Sequence, residues 1–291
     1  MSFAVNKRTT WGDWVNSSLI LLISIITLIP FVYVVSISLT DPSIYVPMQF
    51  KIIPEKFSLA AYEYLLSTNS FTNALYSTLY VTVVGTILNI IITFTMAYGL
   101  TRKSMPGRTT VLSLVVFTLV FNAGIVPNYL LIKELGLLNS YWALILVSLT
   151  NAWSLIVVKS FMDSLPAELE DAAKIDGCND IGVFLRIIIP LSKPAIATFT
   201  LFFAVAHWNT YFNALVYITD STKWTLQLLV KTLVIDSNAQ GYATGGGDEQ
   251  SLPQETIRMA SIVLAILPIL LVYPFLQKYF AKGVMLGSIK G

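Results

Sequence analysis

Two stretches of this chain hold residues whose chemistry exceeds that of the apolar sequence around them. The first is "HWNTYFN", with His207, Trp208, Asn209, Tyr211 and Asn213 inside a long oily run. On an unbroken helix Asn209 and Asn213, four apart, share one face, and Trp208 and Phe212 share the next. Amides beside aromatic faces suit a polyhydroxylated solute, whose C–H patches stack on rings while its hydroxyls exchange hydrogen bonds. The same side chains serve equally as hydrogen-bonding glue between helices. Asn122 and Asn151 are further candidates to line a solute path. The second stretch, "ELEDAAKIDGCNDIGVFLRIIIPLSKP" (168–194), gathers Glu168, Glu170, Asp171, Asp176 and Asp180 between two apolar runs.

Neither stretch is a catalytic constellation. His207 is the only histidine and Cys178 the only cysteine, which excludes an internal disulfide and leaves no cluster of metal ligands. No Ser/His/Asp set and no nucleotide fingerprint occurs. The glycine run with Gly241, Gly245, Gly246 and Gly247 lacks the Gly-Lys-Ser/Thr that would make it a phosphate cradle, so it reads as a linker or a partner-contacting loop. A net charge of +2 gives no reason to expect nucleic acid.

The elements that must carry these residues belong to a bilayer. Hydrophobic residues make up 55% of the chain and charged ones 12%, with mean hydropathy +0.72; soluble domains carry about 25% charge. Six spans are expected near 18–39, 74–100, 110–131, 141–158, 195–218 and 259–275. Each must be helical, because lipid cannot satisfy an open backbone. At about 21 residues, the first apolar run is too long for a signal peptide's core and reads as an uncleaved span. With the N-terminus inside, twelve lysines and arginines lie in inner segments and six in outer ones, which puts both termini in the cytoplasm. Gly124 and Pro127 predict a kink or break in the third span. The outer segment 41–73 is expected to turn at its prolines, and "WTLQLLVKTLVI" to form an amphipathic helix.

The acid-rich stretch reads as two short helices joined by a turn at the inner surface. Ser164 is placed to cap the first, with Pro166 in its first turn. Leu165, Leu169, Ala172 and Ile175 make a narrow apolar stripe. Ala172 and Ala173 allow close approach of a partner. Asp176 and Gly177 end the helix, Asn179 or Asp180 caps the next, and Pro190 marks the return to the membrane. At about 11 residues, or roughly 16 Å, the first helix suits the groove of a soluble partner. By spacing alone it suits a plain interfacial helix as well.

Asp171-Ala172-Ala173, Gly177 and Ile187-x-Ile189-Pro190 resemble the Glu-Ala-Ala-x3-Gly-x9-Ile-x-Leu-Pro signature of binding-protein-dependent ABC importer permeases. Asp171 replaces the signature's Glu, and Ile189 its Leu. "WNTYFNALVY" and "LQKYFAKGVMLGSIKG" resemble the carbohydrate-uptake, maltose-type branch. "GIVPNYLLIKELGLLNSYWALIL" and "PQETIRMASIVLA" resemble its polysaccharide and oligosaccharide members.

The resemblance implies an all-α, polytopic type I importer permease with six transmembrane helices and a cytoplasmic coupling helix between the fourth and fifth. It divides the chain into a cytoplasmic segment (1–17), a permease domain (18–280, with coupling loop 160–193 and outer loop 219–256) and a cytoplasmic tail (281–291). It also implies a multi-pass protein of a prokaryotic cell membrane that moves carbohydrate, and no enzyme. The expected partners are a second permease, an extracellular solute-binding protein and a cytoplasmic ATPase dimer, which binds ATP and Mg while this chain holds no cofactor. Glu170, Asp171, Ala172, Ala173, Asp176, Gly177 and Pro190 would couple to the ATPase, the loop glycines would meet the binding protein, and Lys290 and Gly291 would touch the ATPase. A self-contained secondary transporter would need carboxylates within its spans, and a membrane enzyme would need acids or histidines clustered at an interface.

Overall fold

The computed structural model describes residues 11–46, 51–235 and 254–283. Among these the chain is helical, apart from turns and one isolated antiparallel bridge between Thr40 and Phe57. It divides into two compact units, Met1–Ser67 with Gly247–Leu264, and Thr68–Gly246 with Ala265–Gly291.

In the first unit, helix α1 (Trp11–Ser38) is predominantly apolar from Leu19 onward, and its residues 11–32 are exposed. This is the surface expected of a helix whose solvent is lipid or another apolar chain. Beyond it the chain folds back: Asp41 N donates to Lys56 O at 3.0 Å and Ser58 N to Leu39 O at 2.9 Å. Asp41 caps a short turn that starts at Pro42 and pairs with Lys56 at 2.5 Å. Lys56, then Ser43, holds the Asp41 carboxyl down at about 2. The contribution of that pair is complete above the ordinary carboxylate range near ~4 and is lost only as pH falls through the depressed value. Ala60–Ser67 forms α2, a helix that the proline-rich segment 41–73 had not suggested, and its Tyr62 hydroxyl meets Ser38 Oγ at 2.6 Å.

The second unit is organised around α3 (Asn69–Thr101), 33 residues and so about 50 Å long. It outruns the roughly 30 Å hydrocarbon layer, which lets one rigid rod reach packed clusters at both ends. Along one side its buried positions are small and polar: Ser77, Thr78, Gly85, Thr86, Asn89 and Thr93. Within a membrane such side chains permit close helix approach, where bulk would hold helices apart.

The expected third span is interrupted. Arg108–Val120 is α4 and Ile125–Glu134 is α5, with residues 121–124 non-helical between them. The break centres on Gly124, whose φ of +84 is costly for any residue with a Cβ. Pro127 falls in the first turn of α5, where its missing N–H is harmless. The fourth span is bent by 54° between α6 (Tyr141–Val147) and α7 (Ala152–Asp163). The fifth begins at a 79° bend ahead of the helix Lys193–Trp208. The amphipathic helix expected in the outer segment is present as α13, Leu226–Ile235. The final helix, Gln254–Gly283, is α14. Among the described residues three helices are long and apolar enough to cross a bilayer, or up to five if each bent pair is one span; α4 and α5 are each too short alone.

Asn139 is the single non-glycine residue with positive φ (59°) among the described residues. Its Oδ1 accepts from Thr219 N (2.7 Å), Thr219 Oγ1 (2.9 Å) and Asp220 N (3.0 Å), tying the loop before α6 to the chain 80 residues on. Asn139→Ala removes those bonds and keeps the strain, and is expected to destabilise by about 2–3 kcal/mol. Asn139→Gly, which relieves φ, is expected to lose less. Thermal midpoints of the purified protein check this, and an alanine variant that melts like the wild type would contradict it.

Candidate functional site

The acid-rich stretch folds as two helices joined by a turn. α8 spans Ala167–Ile175 and α9 spans Asp180–Val183. Ser164 does not cap α8, contrary to the sequence expectation. It closes α7, with Oγ donating to Phe161 O at 2.6 Å, and Pro166 takes the N-cap position without a side-chain bond. The N-terminus of α8 instead carries Glu168 and Glu170 in its first turn, on the positive end of the helix dipole. Its C-terminus closes at Gly177, φ +83. Cys178 N reaches Ala173 O at 2.9 Å and Gly177 N reaches Lys174 O at 3.0 Å, the paired bonds of a Schellman motif. Asn179 Oδ1 then caps α9 by accepting from Gly182 N at 2.8 Å.

After α9 the helix widens at Phe184–Ile188, where Ile189 N bonds back five residues to Phe184 O. Pro190 has no N–H to give the preceding turn, and the wider turn accommodates it. One turn of helix, α10 (Ile189–Leu191), leads into α11 (Lys193–Trp208).

Three contacts fasten this segment to the end of α3. Arg102, the residue after α3, forms a two-pronged ion pair with Glu170: Nη1 contacts Oε2 and Nη2 donates to Oε1 at 2.6 Å. Glu170 raises the guanidinium's already high pKa against the opposing effect of burial. The Arg102 Cζ lies 4.1 Å over the Tyr98 ring, and the Tyr98 hydroxyl donates to Asp180 O at 3.2 Å. Ala173 is buried among Phe94, Ala97, Val158, Met162 and Val183. Of the two alanines expected to face a partner, then, Ala173 packs inward and only Ala172 faces out. The outward surface also carries Asp171, Asp176, Leu169 (42% exposed) and Ile175 (86%), with Ile181 (68%) beyond the turn.

The "HWNTYFN" residues do not share a continuous helix. α11 ends at Trp208, Asn209 occupies its C-cap, and α12 begins only at Phe212 and runs to Tyr217. Asn209 and Asn213 therefore lack the common face that spacing predicted. Asn209 Nδ2 folds back onto Val205 O (2.9 Å), and Thr225 Oγ1 binds the Thr210 carbonyl freed by the break (2.8 Å). Asn209 is exposed, and Tyr211 and Asn213 are half-buried. Lys231 of α13 sets its Nζ 3.8 Å from the centroid of the Tyr211 ring.

His207 and Trp208 point into the unit's own interior. His207 is 1% exposed, with Nε2 3.3 Å from Asn89 Oδ1. Asn89 Nδ2 donates to Ser148 O at 2.9 Å, so Oδ1 is the acceptor and the histidine proton sits on Nε2. This chain of bonds ties α3, the α6–α7 break and α11 together. Trp208 Nε1 donates to Ala265 O at 3.1 Å. Asn122 and Asn151 are exposed and serve breaks: Asn122 Oδ1 accepts from Gly124 N (2.9 Å), and Asn151 caps α7 through Ser154 N (2.8 Å). Gly241, Gly245, Gly246, Gly247, Lys290 and Gly291 lie outside the described residues.

Sequence reasoning passed over Asn89, Gly85, Arg102 and Lys231. Asn89 is the one amide well inside its span, and Thr82, Gly85, Thr86, Asn89 and Thr93 recur at helical spacing. That polar and small stripe was the available signal. Arg102 gave none, because its partner lies 68 residues away.

Three comparisons bear on this arrangement. Residues 3–286 match the family model described as binding-protein-dependent transport system inner membrane component. The polygalacturonan/rhamnogalacturonan transport system permease protein YtcP of Bacillus subtilis (strain 168) is 46% identical over 280 residues, 96% of this chain and 98% of that one. Protein LplC of the same organism is 48% identical over 268 residues, 91% and 90% of the two chains. A chain in the crystal structure of a bacterial ABC transporter involved in the import of the acidic polysaccharide alginate superposes with a TM-score of 0.86 at 32% identity, covering 94% of this chain and 99% of its own.

The His207 ring lies against Gly85 so closely that an added Cβ would fall 2.5 Å from Nε2. Gly85→Ala is expected to destabilise by about 1–3 kcal/mol, as overpacking does, and the double variant with His207→Ala to melt higher than Gly85→Ala alone. Melting curves of the purified protein test this. If Gly85→Ala melts at the wild-type temperature, the close packing of glycine and imidazole is not part of the fold's stability.

Proposed function

The chain belongs to the family of binding-protein-dependent transport system inner membrane components, which makes it the permease subunit of an ABC importer, and from that premise we propose how it works and what it carries. It pairs with a second, homologous permease. A cytoplasmic ATPase dimer that holds ATP and Mg drives the pair, and an extracellular binding protein supplies it with an oligosaccharide. Both termini lie in the cytoplasm and the chain crosses the membrane six times, with the broken pair α4–α5 as the remaining span. Sugar-related names among the relatives support the substrate class.

The observation that carries the coupling role is the two-sided character of α8. Its inner side is fixed to α3 through Ala173 and the Arg102–Glu170 pair, while its outer side leaves Leu169, Ala172 and Ile175 uncovered. Exposed apolar side chains rimmed by Asp171 and Asp176 are what a docking surface presents to a soluble partner. Covering a side chain the size of Ile175 contributes about 1.5–3 kcal/mol. When the ATPase dimer closes, the push enters at α8, Gly177 keeps the turn that sets its direction, and the widened turn before Pro190 passes it into the fifth span. Glu170 does not face the ATPase in this scheme; it holds α8 to the membrane domain.

Asn209, Tyr211 and Asn213 border the solute path at the break in the fifth span, since broken helices commonly line such paths. Asn122 and Asn151 lie at the breaks of the third and fourth spans and border it as well. His207 and Trp208 hold the helices behind that surface. The glycine-rich loop with Gly241, Gly245, Gly246 and Gly247 contacts the binding protein, and the tail with Lys290 and Gly291 reaches the ATPase. A secondary transporter is the poorer reading, because the spans hold no carboxylate with which to couple an ion gradient.

Uptake of oligosaccharide by cells whose partner ATPase is inactivated is expected to vanish, and uptake that persists would refute the importer reading. A second test concerns Gly177. No atom lies within 4 Å of a Cβ built there, so substitution is limited by its positive φ alone. Gly177→Val is expected to abolish uptake while membrane insertion continues, and Gly177→Asn, which tolerates left-handed φ, to retain most of it. Equal uptake by the two variants would show that the turn does not transmit the stroke.

A further inference from the structure

The geometry points to an acidic oligosaccharide as the solute, recognised through a carboxylate by Lys231 at the break of the fifth span; the inference rests on the importer reading given above. α13 buries Leu226, Leu228, Leu229, Val230 and Leu233 and leaves Lys231 exposed. The lysine does not simply extend into solvent. Its ammonium is held 3.8 Å from the centre of the Tyr211 ring, in the non-helical stretch between α11 and α12 where Asn209 is also exposed.

The other cations of the segments expected outside separate Lys231 from ordinary surface charge. Lys51 pairs with Glu55 at 2.8 Å, Lys56 with Asp41 at 2.5 Å, Lys223 with Asp220 at 3.9 Å and Arg258 with Glu255 at 3.7 Å. Lys133 and Lys231 have no carboxylate partner among the described residues, and of the two only Lys231 lies on an aromatic ring at a helix break. An aromatic face fixes an ammonium in place without neutralising it. The cation so held keeps its charge available for an anion and has lost part of the rotamer freedom that binding would otherwise have to remove.

A neutral sugar has no use for such a group, since amides and rings satisfy its hydroxyls and C–H faces. A uronic acid residue does. Its carboxylate accepts charge-assisted hydrogen bonds from Lys231 Nζ, and Asn209, whose Nδ2 is engaged by Val205 O, offers its Oδ1 to a hydroxyl of the same residue. A lysine here, a compact point charge, needs no bidentate geometry, as befits a site through which successive sugar units must pass.

The test uses the complete importer, with both permeases, the ATPase and the binding protein, in liposomes containing ATP. The probes are a short oligogalacturonate and its methyl ester of equal length, which lacks the charge and otherwise adds only a methyl group per residue. Lys231→Gln is expected to slow oligogalacturonate uptake about tenfold, the loss of one charge-assisted contact. Lys231→Arg, which keeps the charge, is expected to stay within about twofold of wild type. Basal ATP hydrolysis and assembly should be unchanged in both. Wild-type uptake of the acid by Lys231→Gln, equal loss in the Arg and Gln variants, or equal slowing of acid and ester would each overturn the inference, the last two by assigning Lys231 a structural role. A wild-type importer that carries neutral oligosaccharides and refuses the acid would overturn it too and leave the importer reading standing. Absence of any ATP-dependent carbohydrate uptake would instead refute that reading.

Discussion

The ion pair between Arg102 and Glu170 joins two parts of the chain of different character. On one side stands α3, a rod of about 50 Å whose helical bonds satisfy its own backbone. On the other stands α8, a short polar helix of nine residues, which has too few residues to be stable in water by itself. Isolated, α8 would be a frayed surface loop. Pinned by a two-pronged charge-assisted contact, by Tyr98 beneath the guanidinium and by Ala173 in the core, it becomes a rigid extension of the membrane domain. Both charged side chains are 21% exposed, so the pair is screened less than an open surface bridge.

The rest of the unit follows from what α3 allows on its buried side. Bulky side chains there would hold α7 and α11 away, and small polar ones let them approach. That choice leaves hydrogen-bonding groups inside hydrocarbon, and the Asn89–His207–Ser148 chain of bonds satisfies both ends of the Asn89 amide. The breaks in the neighbouring spans answer the same constraint. Each frees backbone groups that lipid cannot satisfy, and at each a polar side chain takes one up: Asn122 at Gly124, Asn151 at Ser154, and Thr225 at Thr210. The broken spans and the polar residues that answer them are therefore one feature of this chain.

Much of this was legible in the residues, and the limits are physical. Composition alone dictated helices in a bilayer, and Gly177 with Asn179 or Asp180 foretold a helix, a left-handed turn and a capped restart; the structure shows all three, with Asn179 as the cap. Local signals were read correctly because their causes lie within a few residues. Ser164 was misjudged because two adjacent helix ends compete for one hydroxyl, and spacing cannot say which end takes it. Continuity of the fifth span was misjudged for a different reason: Thr225, whose hydroxyl binds the Thr210 carbonyl exposed by the break, sits 15 residues away. Arg102 and Lys231 were invisible because their partners are brought to them by the fold.

In the proposed scheme α8 moves with the membrane domain because Arg102 and Glu170 hold it there. Reversing the pair measures this most directly, as uptake per ATP hydrolysed by the assembled importer with Arg102→Glu, with Glu170→Arg and with both together. Each single reversal places like charges against one another and is predicted to leave ATP hydrolysis largely uncoupled from uptake, while the double reversal restores opposite charges and recovers coupling. Single variants that couple as well as the wild type, or a double variant no better than either single one, would contradict the claim.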